Sequence, residues 1–263
     1  MQIELRDVGG QRLRVGIRHG DKARPPLLLF NGIGANIELV EPFLDAFDGP
    51  EAIVFDVPGV GGSPATKLPY RPSTLARLTG GLLDQLGHAQ VDVLGVSWGG
   101  ALAQQFAFQH RHRCRRLILV STALGVLGGI PGRPRVIPEM LTRRRFDDPE
   151  HAREVAPKIY GGKARSEAES IPIFAHMRVH WRGLFYQQLA ALGWTSLPFA
   201  PLILQPTLIL TGDDDPIIPP VNGRMLRQGL LNSELKFFHD GHLGLETSAD
   251  ELAPIVEDFL DRT

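Results

Sequence analysis

The residues best suited to chemistry are a serine, a carboxylate and a histidine, in that chain order. Gly95-Val96-Ser97-Trp98-Gly99 has the form G-x-S-x-G, with the apolar run Val91–Val96 directly before it and a helical stretch, Trp98–His110, directly after. In so tight a strand-to-helix turn, glycines two places either side spare the neighbouring strand and helix a side-chain collision, and the serine hydroxyl stands clear of the sheet. A serine hydroxyl is a weak nucleophile until a base takes its proton, and the base needs an acid to hold its tautomer. After the apolar run Pro206–Leu210 comes Thr211-Gly212-Asp213-Asp214-Asp215-Pro216. Asp215 is the expected acid, with Asp213 and Asp214 as turn-forming or capping residues. A cation site would need further oxygen ligands at set spacing, and the following Pro-Ile-Ile-Pro-Pro supplies none. After the run Glu234–Phe238, His242 lies in the turn opened by Gly241 and is the expected base. His239, its nearest rival, falls too early and is still on the strand.

Acyl transfer also needs two donors aimed at a developing oxyanion. Phe30-Asn31-Gly32-Ile33-Gly34-Ala35 ends the first buried run and offers the N–H of Ile33, and the residue after the nucleophile offers that of Trp98. Neither Gly32-x-Gly34 nor Gly59-Val60-Gly61-Gly62 completes G-x-G-x-x-G or ends in Lys-Ser/Thr, so a nucleotide-phosphate cradle is excluded.

Residues so far apart need a scaffold that brings their segments to one edge. Ile3–Val8 and Arg12–His19 alternate polar and apolar residues around Gly9-Gly10 and read as an exposed hairpin. Leu27–Asn31, Ala52–Asp56, Val91–Val96, Leu117–Ser121 and Thr207–Thr211 are continuous apolar runs, the pattern of strands buried on both faces of a parallel sheet. Helical stretches lie between and after them at Leu39–Phe47, Ser73–Leu86, Trp98–His110, Leu226–Leu231 and Asp250–Leu260, which predicts an α/β fold. The alternation stops between Leu124 and Gln205. That stretch has no convincing strand, several prolines, and 11 Lys and Arg against 7 Asp and Glu. It is too long for a plain loop and reads as a helical insertion, or cap.

The chain has 263 residues, 43% hydrophobic and 22% charged, with a formal net charge of −1. Disordered, collagen-like and coiled-coil classes are out, and no field draws in nucleic acid. No apolar run reaches the length of a membrane span or signal peptide, and the single cysteine, Cys114, excludes an internal disulfide, so the plain reading is a soluble cytoplasmic protein. Cys114 itself reads as structural, and Arg143-Arg144-Arg145 as a solvated helix face. Trp181, Phe185, Tyr186 and Trp194 are candidates either for an acyl pocket under the cap or for core packing.

With nucleophile, acid and base in this order, the chain resembles the α/β-hydrolase superfamily. FNGIGANIELVEPF (Phe30–Phe43), FDVPGVGGS (Phe55–Ser63), GVSWGGALAQQFA (Gly95–Ala107), IYGG (Ile159–Gly162), GWTS (Gly193–Ser196), QPTLILTGDDDPIIP (Gln205–Pro219) and DGHL (Asp240–Leu243) look like intracellular poly(3-hydroxyalkanoate) depolymerases, closest to the medium-chain-length type. The likeness runs from about Pro26 to the C-terminus and is loosest between Leu124 and Arg182. It implies a mostly parallel eight-stranded sheet, with residues 1–123 and 206–263 as core and 124–205 as a helical cap. The family's nucleophile, acid and base fall on Ser97, Asp215 and His242, and Asn31 stands where many other α/β hydrolases carry histidine. The implied reaction is polyester hydrolysis through an acyl-enzyme, with Ile33 and Trp98 N–H groups as the oxyanion hole. Trp181, Phe185 and Trp194 would contact substrate, and Ile159, Ile171, Ile173, Phe174 and Leu189 would add to the acyl wall. No metal or organic cofactor is implied, and the partners are a polyester or medium-chain ester and the surface of a storage granule. The same triad would also serve an esterase for small soluble esters or a carbon–carbon bond hydrolase, and a fold that had lost its chemistry would serve as a binder.

Overall fold

The computed structural model describes residues 1–167 and 179–262. Alternating residues in β1 (Gln2–Val8) and β2 (Gln11–Arg18) give a hairpin with one exposed face. The unbroken apolar runs become β3 (Leu27–Phe30), β4 (Ala52–Phe55), β5 (Val91–Val96) and β7 (Thr207–Gly212), every residue of which is buried. With β6 (Cys114–Val120) and the half-exposed edge strand β8 (Ser233–Phe238), they form one eight-stranded sheet in the order β1-β2-β4-β3-β5-β6-β7-β8. The pairings β1/β2 and β2/β4 are antiparallel and the rest parallel.

Alternate residues of each central strand point to opposite faces, so each face needs its own helical cover. Leu28, Phe30, Val93 and Leu119 pack beneath α2 (Pro72–Leu86) and α3 (Trp98–Gln109), through Leu75, Leu82, Leu102 and Phe106. Leu29, Leu94, Ile118 and Leu210 pack beneath α1 (Glu41–Ala46) and the C-terminal helix Ala249–Asp261, through Phe43, Leu252, Val256 and Phe259.

Between β6 and β7 the described residues hold no strand, only single bridges such as Gly125 with Thr195, a 3-10 turn at Ala200–Leu202, and five α-helices: α4 (Ile137–Leu141), α5 (Arg144–Asp147), α6 (Pro149–Tyr160), α7 (Ala164–Glu167) and α8 (Trp181–Leu192). This segment lies on the loops that leave the sheet. Val136, Ala152, Val155, Ile159 and Tyr160 bury against Ala35, Leu39, Ile217 and Leu243. Beyond it, α9 (Val221–Gly229) replaces the expected Leu226–Leu231, followed by α10 (Gly244–Thr247) and α11 (Ala249–Asp261). The start of α9 is set by Pro219-Pro220, since proline is tolerated where a helix begins. At its far end the chain turns extended at Leu230 to enter β8.

From β3 the chain steps outward to β4 on one side and returns to β5 on the other. At such a reversal the loops leaving β3 and β5 diverge and open a crevice at the strand ends. Ser97 follows β5 and Ile33 follows β3, so both stand at that crevice.

Candidate active site

Ser97 joins β5 to α3 with φ 55° and ψ −119°, a conformation L-residues rarely adopt. The glycines around it permit the turn. A Cβ on Gly95 would lie 2.4 Å from the Gly99 carbonyl oxygen, and one on Gly99 would lie 2.0 Å from that of Phe30.

The structure brings Ser97, His242 and Asp215 together. Ser97 Oγ is 2.9 Å from His242 Nε2, and His242 Nδ1 is 2.8 Å from Asp215 Oδ2. Asp215 is fixed from its other oxygen, which accepts the N–H groups of Ile217 (2.9 Å) and Ile218 (2.8 Å). The neighbouring carboxylates face elsewhere. Asp213 pairs with exposed His239 at 2.6 Å, while Asp214 accepts Gly162 N–H and the Arg165 guanidinium, which holds it below its ordinary range. No group of three or more His, Cys, Asp or Glu side chains that could hold a metal occurs among the described residues.

The turn carrying His242 is clamped by residues that the sequence reading did not single out for it. His242 N–H donates to the Tyr160 carbonyl at the end of α6 (2.7 Å), and Lys163 N–H donates to Asp240 (2.8 Å). A Cβ on Gly162 would lie 1.9 Å from Gly241 N, so the IYGG and DGHL segments fit only with bare backbone between them. Burial alone would raise the pKa of Asp240. Hydroxyls of Ser248 and Thr247 and N–H groups of Lys163 and Gly241 outweigh it and hold Asp240 below the ordinary carboxylate range.

Neither the Ile33 nor the Trp98 backbone N–H meets an acceptor among the described residues, and both residues border the same cavity as Ser97. Three further residues shape this edge. Asn31 donates its amide to the Asn36 carbonyl at 2.7 Å. Asp56 accepts Ile37 and Gly62 N–H groups, each at 2.8 Å, and burial raises its pKa despite the Arg14 guanidinium. Fully buried Gln187 of α8 accepts Gly34 N–H at 2.9 Å, and its carbonyl accepts the Trp98 indole at 3.1 Å. No motif flags Gln187, because its partners lie far away in sequence.

Among the described residues, two cavities meet Ser97. The larger, about 410 Å³, is mainly apolar and runs past Trp98, Ala123, Val126, Ile130 and Trp194. The smaller, about 40 Å³, is bordered by His242, Leu243, Met140, Arg145 and Glu246. Trp194 therefore borders the larger cavity together with Ser97. Trp181 and Phe185, 49% and 48% exposed, border neither of these cavities. Ile159 is buried between the inserted helices and the loops, Leu189 is exposed, and Ile171, Ile173 and Phe174 lie outside the described residues. The arginine run is not uniformly solvated. Arg143 and Arg144 pair with Asp147 and Asp148 at the surface, whereas Arg145 turns inward. Cys114 is buried in β6, which pushes its thiol pKa up.

A family model of the alpha/beta hydrolase fold matches residues 25–161 and 176–249. The poly(3-hydroxyalkanoate) depolymerase of Ectopseudomonas oleovorans is 47% identical over 259 residues, covering 97% of this chain and 91% of that protein. A 2-hydroxymuconate semialdehyde hydrolase of Pseudomonas sp. (strain CF600) is 28% identical, covering 97% and 94%. The solved enol-lactonase from Burkholderia xenovorans LB400 superposes with a TM-score of 0.83 at 25% identity, covering 98% of this chain and 100% of that one. With more than half its length matched by that model and nearly half its residues shared with a full-length relative, the chain belongs to the alpha/beta hydrolase fold family.

Proposed function

We propose that this chain is a serine ester hydrolase that cleaves poly(3-hydroxyalkanoate), of the medium-chain type, through an acyl-enzyme. The observation that carries the reading is the continuous Asp215–His242–Ser97 contact beside an apolar cavity. Identity of 47% to a poly(3-hydroxyalkanoate) depolymerase supports polyester as the substrate.

In this reading Asp215 accepts a hydrogen bond from the Nδ1–H of His242, which leaves Nε2 unprotonated to take the Ser97 proton. Ser97 Oγ attacks the ester carbonyl, the oxyanion is held by the Ile33 and Trp98 N–H groups, and His242 returns the proton to the departing alkoxide. Water then repeats the sequence on the acyl-serine. The alkyl side chain enters the larger cavity against Trp194, with residues 1–123 and 206–263 as the catalytic core and 124–205 as its cap. A storage granule is the surface on which the enzyme works.

The test is to incubate pure protein with purified medium-chain and short-chain polymer granules and identify the released acids. Release of 3-hydroxy acids from medium-chain granules is expected. Turnover of soluble esters without attack on either granule would leave a small-ester esterase.

A further inference from the structure

The smaller cavity at Ser97 holds a positive charge that the proposed mechanism does not use. Arg145, only 4% exposed, borders it together with Ser97, His242, Met140, Tyr160 and Glu246. Its Nη1 donates to Tyr160 Oη at 3.0 Å, its Nη2 reaches the Met140 carbonyl at 3.5 Å, and the Phe146 ring lies 4.2 Å from the guanidinium carbon. Its Nε meets no acceptor among the described residues. None of these neighbours is an anion, and no ion pair joins Arg145 to any carboxylate among the described residues. Glu246 borders the same cavity, but burial, together with the Asp240 charge, raises its pKa well above the ordinary range and favours its neutral form. A buried guanidinium cannot shed its proton and is costly without a counter-ion.

We infer that Arg145 receives the free carboxylate of the hydroxy acid on the leaving side of the scissile ester. This inference rests on the proposed hydrolysis at Ser97 and adds its direction. The cavity, about 40 Å³, has room for a carboxylate and its adjoining carbon but not for a long alkyl chain, which belongs in the cavity of about 410 Å³. In a polyester of hydroxy acids only the last unit carries a free carboxylate. Chain ends and short oligomers are therefore preferred over internal esters. At the terminal ester, Ser97 Oγ bonds the carbonyl carbon, the ester C–O bond breaks, and the departing 3-hydroxy acid takes the proton from His242 with its carboxylate still on Arg145.

The experiment compares 3-(octanoyloxy)butanoate with its carboxamide, two esters with the same acyl group and a charged or neutral leaving side. The wild type should favour the carboxylate at least tenfold in kcat/KM. Arg145→Gln should bring that ratio close to one, and Arg145→Lys should restore part of it. A wild-type ratio near one, or a ratio unchanged in a folded Arg145→Gln, overturns the assignment. Should the variant fail to fold, the wild-type ratio still decides. Intact granules alongside a tenfold ratio would remove the polyester reading and keep the carboxylate site, whereas cleaved granules with no ratio would do the reverse. Failure to cleave either ester removes both.

Discussion

At Ser97 an unfavourable backbone conformation persists because Gly95 and Gly99 leave room for it and the Ser97 N–H is held by the Val120 carbonyl at 2.9 Å. Its hydroxyl is the atom on which the proposed chemistry depends. Ser97→Ala should fold as the wild type does and lose at least about a thousandfold in kcat, leaving only what binding and the oxyanion hole supply. An organophosphonate should label Ser97 alone, as read by mass spectrometry of peptides. The three adjacent carboxylates make a sharper comparison, because only Asp215 touches His242. Asp215→Asn should cost roughly four powers of ten through loss of the correct tautomer. Asp213→Asn and Asp214→Asn, whose partners are His239 and Arg165, should cost less than about tenfold. Serine, acid and base are legible in sequence because each sits in a short local pattern after a strand. Gln187 and Arg145 are not. One is a glutamine in an unremarkable helix and the other the last of three arginines, and only tertiary packing turns each inward.

Among the elements, the five continuous apolar runs are readable as strands because burial on both faces removes every polar position. The segment between β6 and β7 is less readable. Three of its described α-helices span only four or five residues, α6 carries Pro157 within an otherwise regular apolar period, and Trp181 and Phe185 carry no mark of which way they face. The junction of α6 with the turn after β8 gives a test of how the base is held. Asp240 is ionised more readily in the fold than in the unfolded chain, since its hydrogen bonds outweigh its burial. A lowered folded pKa contributes stability above the ordinary value of 3.8, and that contribution is lost as pH falls through the folded value. Asp240→Asn should therefore cost about 1–3 kcal/mol in urea unfolding at pH 7. The gap between variant and wild type should narrow in acid below pH 3.8. An equal gap at both ends of that range would show that the carboxylate charge is immaterial to the clamp.

On the scale of the whole molecule, the loops leaving β3, β5, β6 and β7, with Ala191 of α8, line a cavity large enough to select by chain length. Each methylene moved from water into an apolar wall contributes about 0.8 kcal/mol. Six methylenes, from acetyl to octanoyl, then set a ceiling of roughly 5 kcal/mol before chain ordering is counted. A hundredfold rise in kcat/KM needs only about 2.7 kcal/mol, so p-nitrophenyl octanoate should exceed the acetate by at least that factor. A profile peaking at acetate or butyrate would remove the medium-chain assignment. Replacing Trp194, which borders the cavity, with alanine should flatten the profile at its long end more than at its short end.

The clamp of Tyr160 and Lys163 on the histidine turn also sets the order in which activity can arise during folding. Strands β1 to β6 pair without crossing the inserted segment, whereas β7 pairs with β6 across it, the Ser97–His242 contact spans 145 positions and the Gly34–Gln187 contact 153. Closing such spans is entropically slow and is rewarded only once the intervening chain is in place. The nucleophile's turn is thus built early with β5 and α3, while its base waits for α6. After dilution from denaturant, far-ultraviolet circular dichroism should recover first and ester hydrolysis later, with an intermediate in which β1 to β6 are paired and the serine is idle.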